Sequence, residues 1–276
     1  MSILRFSLPL LVVSLLANVL LTPLRSGIDS ILPPSNNILL LTAHPDDECM
    51  FFAPTILSLT KYHVNEKRPN LYSLCLSVGN AEGLGNIRRD ELQRSLDVLG
   101  VDQGRRWVVD HPELPDNMTV HWDAHAIADV VRPYIVKYNI GTVLTFDRRG
   151  ISSHPNHYSL PNGIIQLIRD SASNGATPPR LFSLITVPLG QKYIGPIAPL
   201  LAKLDLHVAS LLDGSTKAHV KRLPVFVSGV EDFWLAIKAM LEHESQMIWF
   251  RWLYVAFSRY TWLNEWVEVV PTSSNL

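Results

Sequence analysis

The apolar run Ile38-Leu39-Leu40-Leu41 stops on Ala43-His44-Pro45-Asp46-Asp47-Glu48, and this juncture constrains the fold more than any other stretch. A short continuous run of strand formers, with Asn before it and Pro after it, reads as a strand buried on both faces. Ionisable residues crowd its carboxyl end, which is where open α/β sheets bind ligands. A second juncture repeats the arrangement: Thr142-Val143-Leu144-Thr145-Phe146 leads into Arg149-Gly150-Ile151-Ser152-Ser153-His154-Pro155-Asn156-His157. Around these two, strand-like runs at 71–77, 106–110, 181–187 and 224–228 alternate with helical spacing at 49–63, 87–99, 122–138 and 231–243. The alternation predicts an α/β, Rossmann-like domain, a mostly parallel sheet with helices on both faces. With 276 residues, 47% of them apolar, one such domain has enough material for its core.

His44 and Asp47 stand three apart around a proline, so an imidazole and a carboxylate leave one rigid turn and can face one divalent cation. Zinc takes imidazole nitrogen and carboxylate oxygen at about 2.0 to 2.2 Å, and a hydrolytic site uses three protein ligands with one position left for water. The third donor has to come from the other loop, where His154 and His157 repeat the spacing. The competing reading makes Asp46, Asp47 and Glu48 the acidic first turn of a helix, and each lone histidine a satisfied core or surface group. Gly79-Asn80-Ala81-Glu82-Gly83-Leu84-Gly85 lacks the spacing of a phosphate loop and reads as a flexible rim. Arg88 and Arg89 open the next helix against its dipole. Either they pair with Asp90, Glu91 or the Asp46-Asp47-Glu48 turn, or Arg88 is a fork for a substrate phosphate.

The A-H-P-D-D-E turn, the G-N-A-E-G-L-G segment followed by Arg-Arg-x-Glu-Leu, and the late H-P-N-H together resemble the PIG-L/LmbE family of zinc-dependent N-deacetylases, over roughly residues 37–263. The resemblance implies an LmbE-like fold, with Zn²⁺ held by His44, Asp47 and His157. Asp46 is then the general base, and His154 is free to hydrogen-bond the developing oxyanion. It also implies a glycolipid substrate, N-acetylglucosaminyl-phosphatidylinositol, deacetylated early in glycosylphosphatidylinositol anchor synthesis. Asp46 and Asp47 exchange roles if the turn presents Asp46 to the metal. Asn156 departs from the pattern, since related bacterial enzymes often carry Asp there, and this leaves the support behind the ligands open. Two alternatives remain: the same chemistry on a soluble acetylated amino sugar conjugate, and a catalytically silent scaffold that binds no stoichiometric metal.

A net charge of -1 supplies no general attraction for nucleic acid. Cys49 and Cys75 sit in or beside apolar runs and read as buried reduced thiols. Phe6 to Leu24 is 19 residues without a charge, about 28 Å as a helix at about 1.5 Å per residue, which suits a membrane anchor. A cleaved signal peptide is its rival. The organisation expected is an anchor over 1–26, a spacer over 27–36 and the deacetylase domain over 37–276. The resemblance implies a single-pass protein of the endoplasmic reticulum membrane with its catalytic domain in the cytosol. Ile194, Ile197, Leu200 and Leu201 suit core better than a lipid-facing insertion. From Met247 to Trp266, aromatics interleave with Arg251 and Arg259, fitting either a membrane interface or a buried packing element.

Overall fold

A computed structural model of the chain describes residues 20–61, 68–213 and 223–271, with the separate positions 14, 17 and 18. In chain order the described strands and main helices are β1 (Leu24–Ser26), β2 (Asn37–Thr42), α1 (Asp47–Phe51), α2 (Ala53–Lys61), β3 (Asn70–Cys75), α3 (Gly85–Val98), β4 (Arg106–Val108), α4 (Ala124–Lys137) and β5 (Thr142–Phe146). There follow α5 (Pro155–Ser173), β6 (Arg180–Leu184), α6 (Ile197–Asp213), β7 (Val225–Val227), α7 (Val230–Leu241), α8 (Trp249–Phe257) and β8 (Leu263–Val269).

All eight strands join one sheet in the order β1-β7-β8-β6-β5-β2-β3-β4. β2 pairs in parallel with β3 on one side and with β5 on the other. Chain direction across the sheet therefore reverses between β2 and β5, and the crevice outside their carboxyl ends is a topological switch point. Consecutive strand residues point to opposite faces, yet Ile38 through Thr42 and Thr142 through Phe146 are all buried, so both faces are covered. The expected mostly parallel α/β architecture is what forms. Its other end is antiparallel: β8 is inserted between β6 and β7, and β1 closes the edge against β7.

Several local expectations are corrected. The single helix expected over 49–63 is two, because the chain leaves helical geometry at Phe52 and Pro54 cannot donate in the next turn. Of the anchor expected over Phe6–Leu24, residues 1–13, 15, 16 and 19 lie outside the described residues, while Leu24 belongs to β1. Among the described residues no helix is long and apolar enough to cross a membrane. Residues 27–36, expected as a spacer, pack on the domain: Ile31 is fully buried and its carbonyl accepts from Thr142 Oγ1 at 2.8 Å. The apolar stretch around Ile197 forms α6, of which Ala198 and Ala202 are buried while Ile197, Leu201, Leu204 and Leu211 are exposed. Core placement thus holds for only a narrow stripe of that helix.

The aromatic-rich segment divides. Its end becomes β8, whose Trp266 is fully buried, stacks on Phe52 at 5.8 Å between centroids and donates from Nε1 to Thr55 Oγ1 at 2.9 Å. Neighbouring Asn264 accepts from the Thr55 backbone and hydroxyl and donates to the Phe51 carbonyl. These bonds tie β8 to the helices that carry the site. Trp266→Ala is expected to cost about 3–5 kcal/mol, read as a lower midpoint in denaturant unfolding with an unchanged slope.

Candidate active site

Both ionisable loops arrive at the switch point. His44 leaves β2 two residues after Thr42, and His157 stands in the first turn of α5, beyond β5. Their nearest ring nitrogens, His44 Nδ1 and His157 Nε2, lie 3.3 Å apart, and Asp47 Oδ1 lies 3.2 Å from the same His157 Nε2. Tetrahedral donors at about 2.0–2.1 Å from a zinc ion would be about 3.3 Å from one another, so these spacings fit one shared ion. His154 lies close by, its ligand nitrogen within 4.8 Å of those of the other two histidines.

The opposite edges of the rings fix their tautomers. His44 Nε2 meets Asn156 Oδ1 at 3.0 Å and Asp116 Oδ1 at 3.2 Å, two acceptors that require a proton on Nε2 and leave the Nδ1 lone pair facing the ion position. His157 Nδ1 meets the Gly150 carbonyl at 3.1 Å and Ser152 Oγ at 3.0 Å, which leaves its Nε2 free in the same way. The ring also stacks on Phe146 at 4.2 Å. Gly150 has φ +61, and a Cβ there would meet His157 Cβ at 2.8 Å, so the turn requires glycine. Asn156 therefore does not leave His44 unsupported; Asp116 and the Asn156 amide share the task.

Asp46 and Asp47 are adjacent but differently held. Asp47 Oδ2 accepts from the backbone N–H groups of Ala43 and His44, both at 2.9 Å. Burial pushes its carboxyl up, but the charge and hydrogen bond of His157, with His44, outweigh that and hold it well below the usual carboxylate range. Asp46 has φ +113, an unusual conformation for a non-glycine residue, which turns its carboxylate to the other side of the turn. There Oδ2 accepts from Arg251 Nη2 at 2.7 Å, with Arg88 Nη2 at 3.8 Å. The turn thus presents Asp47 to the histidines and leaves Asp46 beside them.

The two remaining imidazoles respond oppositely to their surroundings. Burial lowers the pKa of His44, but its bond to Asp116 and the charges of Asp47, Asp116 and Asp46 raise it overall. Burial and the neighbouring imidazoles of His44 and His157 push His154 down to about 4, so it is neutral near pH 7. His154 Nδ1 accepts from the Asn156 backbone N–H at 3.2 Å as the N-cap of α5. Its proton is accordingly on Nε2, making a neutral hydrogen-bond donor.

Arg88, expected as a possible phosphate fork, is directed to protein partners. It donates to the Pro45 carbonyl at 2.8 Å and the Gly79 carbonyl at 3.1 Å, and reaches Asp116 at 3.4 Å. A Cβ on Gly79 would collide with this guanidinium at 2.6 Å, so the glycine-rich loop there makes room for an arginine. The shorter ion pair of Arg88 is to Asp116, a partner the sequence did not suggest, and a longer one reaches Asp46 of the expected turn. Beneath the turn, Glu48 Oε2 accepts from the Asp46 N–H at 3.0 Å while Oε1 meets His243 Nε2 at 2.7 Å and Ser95 Oγ at 2.5 Å. Burial raises the Glu48 carboxyl, but His243 and Ser95 outweigh it and hold it below its ordinary value. Glu48 and His243 close on each other, so with Cys49 they form a brace and not a second metal site.

Sequence reading missed Asp116, Arg251 and His243. None carries a local signal: Asp116 sits in an irregular loop, and Arg251 and His243 come from the C-terminal third of the chain. Together His44, Asp46, Asp47, Arg88, Asp116, His154, His157 and Arg251 line a cavity of about 400 Å³.

The family described as PIG-L: GlcNAc-PI de-N-acetylase matches residues 39–168, the stretch holding both loops. The N-acetylglucosaminyl-phosphatidylinositol de-N-acetylase of Bos taurus is 38% identical over 228 residues, covering 82% of this chain and 81% of its own. A probable N-acetylglucosaminyl-phosphatidylinositol de-N-acetylase of Dictyostelium discoideum is 33% identical over 258 residues, covering 84% and 93%. Among solved structures, the N,N'-diacetylchitobiose deacetylase of Pyrococcus horikoshii superposes with a TM-score of 0.54 at 15% identity, covering 87% of this chain and 89% of that one. A teicoplanin deacetylase in its zinc-inhibited form superposes with a TM-score of 0.52 at 13% identity, covering 86% and 100%. The two superpositions establish the LmbE-like fold.

Two outcomes follow from this geometry. In metal-free protein the His154 imidazole signals in NMR are expected to hold their neutral-form shifts from pH 8 to about 5 and to move only near pH 4. His243→Leu leaves the buried Glu48 charge without its main partner and is expected to cost about 3–5 kcal/mol. In denaturant unfolding the His243→Leu/Glu48→Leu pair should lose less than the sum of the single variants.

Proposed function

Because the chain belongs to the PIG-L family, we propose that it hydrolyses the N-acetyl group of N-acetylglucosaminyl-phosphatidylinositol to glucosaminyl-phosphatidylinositol and acetate. It is a deacetylase, and the observation that carries the fuller reading is the approach of His44 Nδ1 and Asp47 Oδ1 to His157 Nε2, at 3.3 and 3.2 Å, beside a second carboxylate and a neutral imidazole. Two nitrogens and one carboxylate oxygen, with a cavity at their open side, fit a hydrolytic zinc site. A zinc ion held there would polarise the amide carbonyl and lower the pKa of a nearby water toward neutrality.

The residues supply the rest. Asp46 accepts the proton of the attacking water as its oxygen adds to the acetamide carbon, then passes that proton to the sugar nitrogen as the C–N bond breaks. Arg251 fixes the direction of the Asp46 carboxylate through Oδ2. His154, with its proton on Nε2, donates to the carbonyl oxygen as that oxygen gains negative charge. Asp116 and Gly150 hold His44 and His157 in the tautomers that aim the donors inward.

The family resemblance supports a place early in glycosylphosphatidylinositol anchor synthesis, at the endoplasmic reticulum membrane with the catalytic domain in the cytosol. Two buried free thiols suit a reducing compartment. Metal analysis paired with acetate release tests the reading. Asp46→Asn is expected to keep stoichiometric metal and to lose about 10²–10⁴-fold in turnover, while His157→Ala loses both. Chelation should abolish activity and added zinc restore it. Equal metal loss in the two variants would exchange the roles of Asp46 and Asp47, and full turnover in both would remove the mechanism.

A further inference from the structure

Helix α8 has two unlike sides. Inward, Tyr254 is buried with its hydroxyl on the Met50 carbonyl, and Arg251 reaches Asp46. Outward, Trp249 is 76% exposed and Trp252, Leu253 and Phe257 are each more than half exposed. Between α8 and the turn ending at Lys192 and Tyr193 lies an apolar cavity of about 560 Å³, a size that takes a small-molecule moiety. It adjoins the catalytic cavity, since Met50, Phe51, Ser152, Phe250 and Arg251 line both.

Lys192 stands in this groove. Its half-buried ammonium donates to the Ile151 carbonyl at 2.8 Å and lies 5.6 Å from the centre of the Tyr193 ring. Among the described residues no carboxylate pairs with it. A cation withdrawn from water with one neutral acceptor is a position that an anion completes. Ile151 precedes Ser152, which lines both cavities and whose hydroxyl touches His157, so the ammonium is anchored next to the wall that the cavities share.

We propose that this groove is the lipid subsite: Lys192 receives the phosphodiester of the glycophospholipid, its glycerol and proximal acyl carbons lie along Tyr193, Leu253 and Phe257, and the outer face of α8 rests in the bilayer interface. The proposal rests on the function proposed above, and it deepens that reading by giving the non-reacting part of the substrate a place. The order from catalytic cavity to Lys192 to apolar groove is the order sugar, phosphate, acyl chain in the substrate. Exposed indoles with aliphatic and aromatic neighbours along one helix are what a membrane–water interface favours.

The test uses the full chain and two measurements. The first is the ratio of kcat/KM for N-acetylglucosaminyl-phosphatidylinositol in mixed micelles to that for its water-soluble deacylated headgroup. The second is calorimetric binding of dioctanoyl phosphatidylinositol, which has no sugar to hydrolyse. Leu253→Gln/Phe257→Gln, two exposed positions whose exchange spares the core, is expected to lower the ratio and weaken binding at least tenfold. Lys192→Gln should weaken binding of the same lipid at least fivefold, and should lower kcat/KM for phosphate-bearing substrates relative to N-acetylglucosaminyl-inositol. Unchanged lipid binding in both variants, or equal loss on every substrate, would overturn the subsite. Unchanged lipid binding with loss of a co-purifying protein would instead assign the groove to that protein. Tenfold-weakened binding in a protein whose wild type releases no acetate would uphold the subsite while removing the proposed function.

Discussion

The approach of His44 Nδ1 and Asp47 Oδ1 to His157 Nε2, at 3.3 and 3.2 Å, is the constraint around which the rest of the molecule is arranged. The two lone pairs and the negative oxygen repel one another unless a cation or proton lies among them, so the fold has to hold them there against that repulsion. It does so by topology. β2 and β5 are neighbours in the sheet although about a hundred residues separate them in the chain, and both are buried, from Ile38 to Thr42 and from Thr142 to Phe146. Each strand delivers its loop to the same crevice, and the approach is set by backbone hydrogen bonds instead of by flexible side chains.

Around that centre, nearly every charged group restrains another. Asp46 occupies a costly backbone conformation, and bonds to Glu48 below and Arg251 above compensate for it. Glu48 is in turn held by His243 and Ser95. Arg88 spans Pro45, Gly79 and Asp116, so it ties the first loop to the glycine-rich rim. A site held this way is preorganised, and little of its geometry has to be created when substrate binds.

Much of this was legible in the sequence where chemistry and periodicity coincide. The strand ending before His44 and the strand at 142–146 were readable because buried parallel strands are continuous apolar runs. The H-x-x-D and H-x-x-H spacings identified the residues that meet. Other features were not readable, because they depend on contacts between distant segments. Asp116 could not be told from a solvated loop acid, nor Arg251 from a snorkelling one, without knowing that both point at the β2 turn. β8 was hidden because its residues, Leu263 to Val269, alternate only weakly with the polar Asn264, Glu265 and Glu268 and follow directly on an aromatic helix. The dipole conflict at Arg88 was a true signal, and its resolution is an internal salt bridge.

The insertion of β8 between β6 and β7 has a consequence for synthesis. The strand at 263–269 is among the last of the described residues, yet it occupies the middle of the antiparallel half of the sheet and bonds to the segment carrying the first catalytic loop. While the ribosome is still adding these residues, β6 and β7 have no partner between them. The nascent chain can therefore form its parallel half early, while the antiparallel half waits for residues 263–269 to emerge and take their place between β6 and β7.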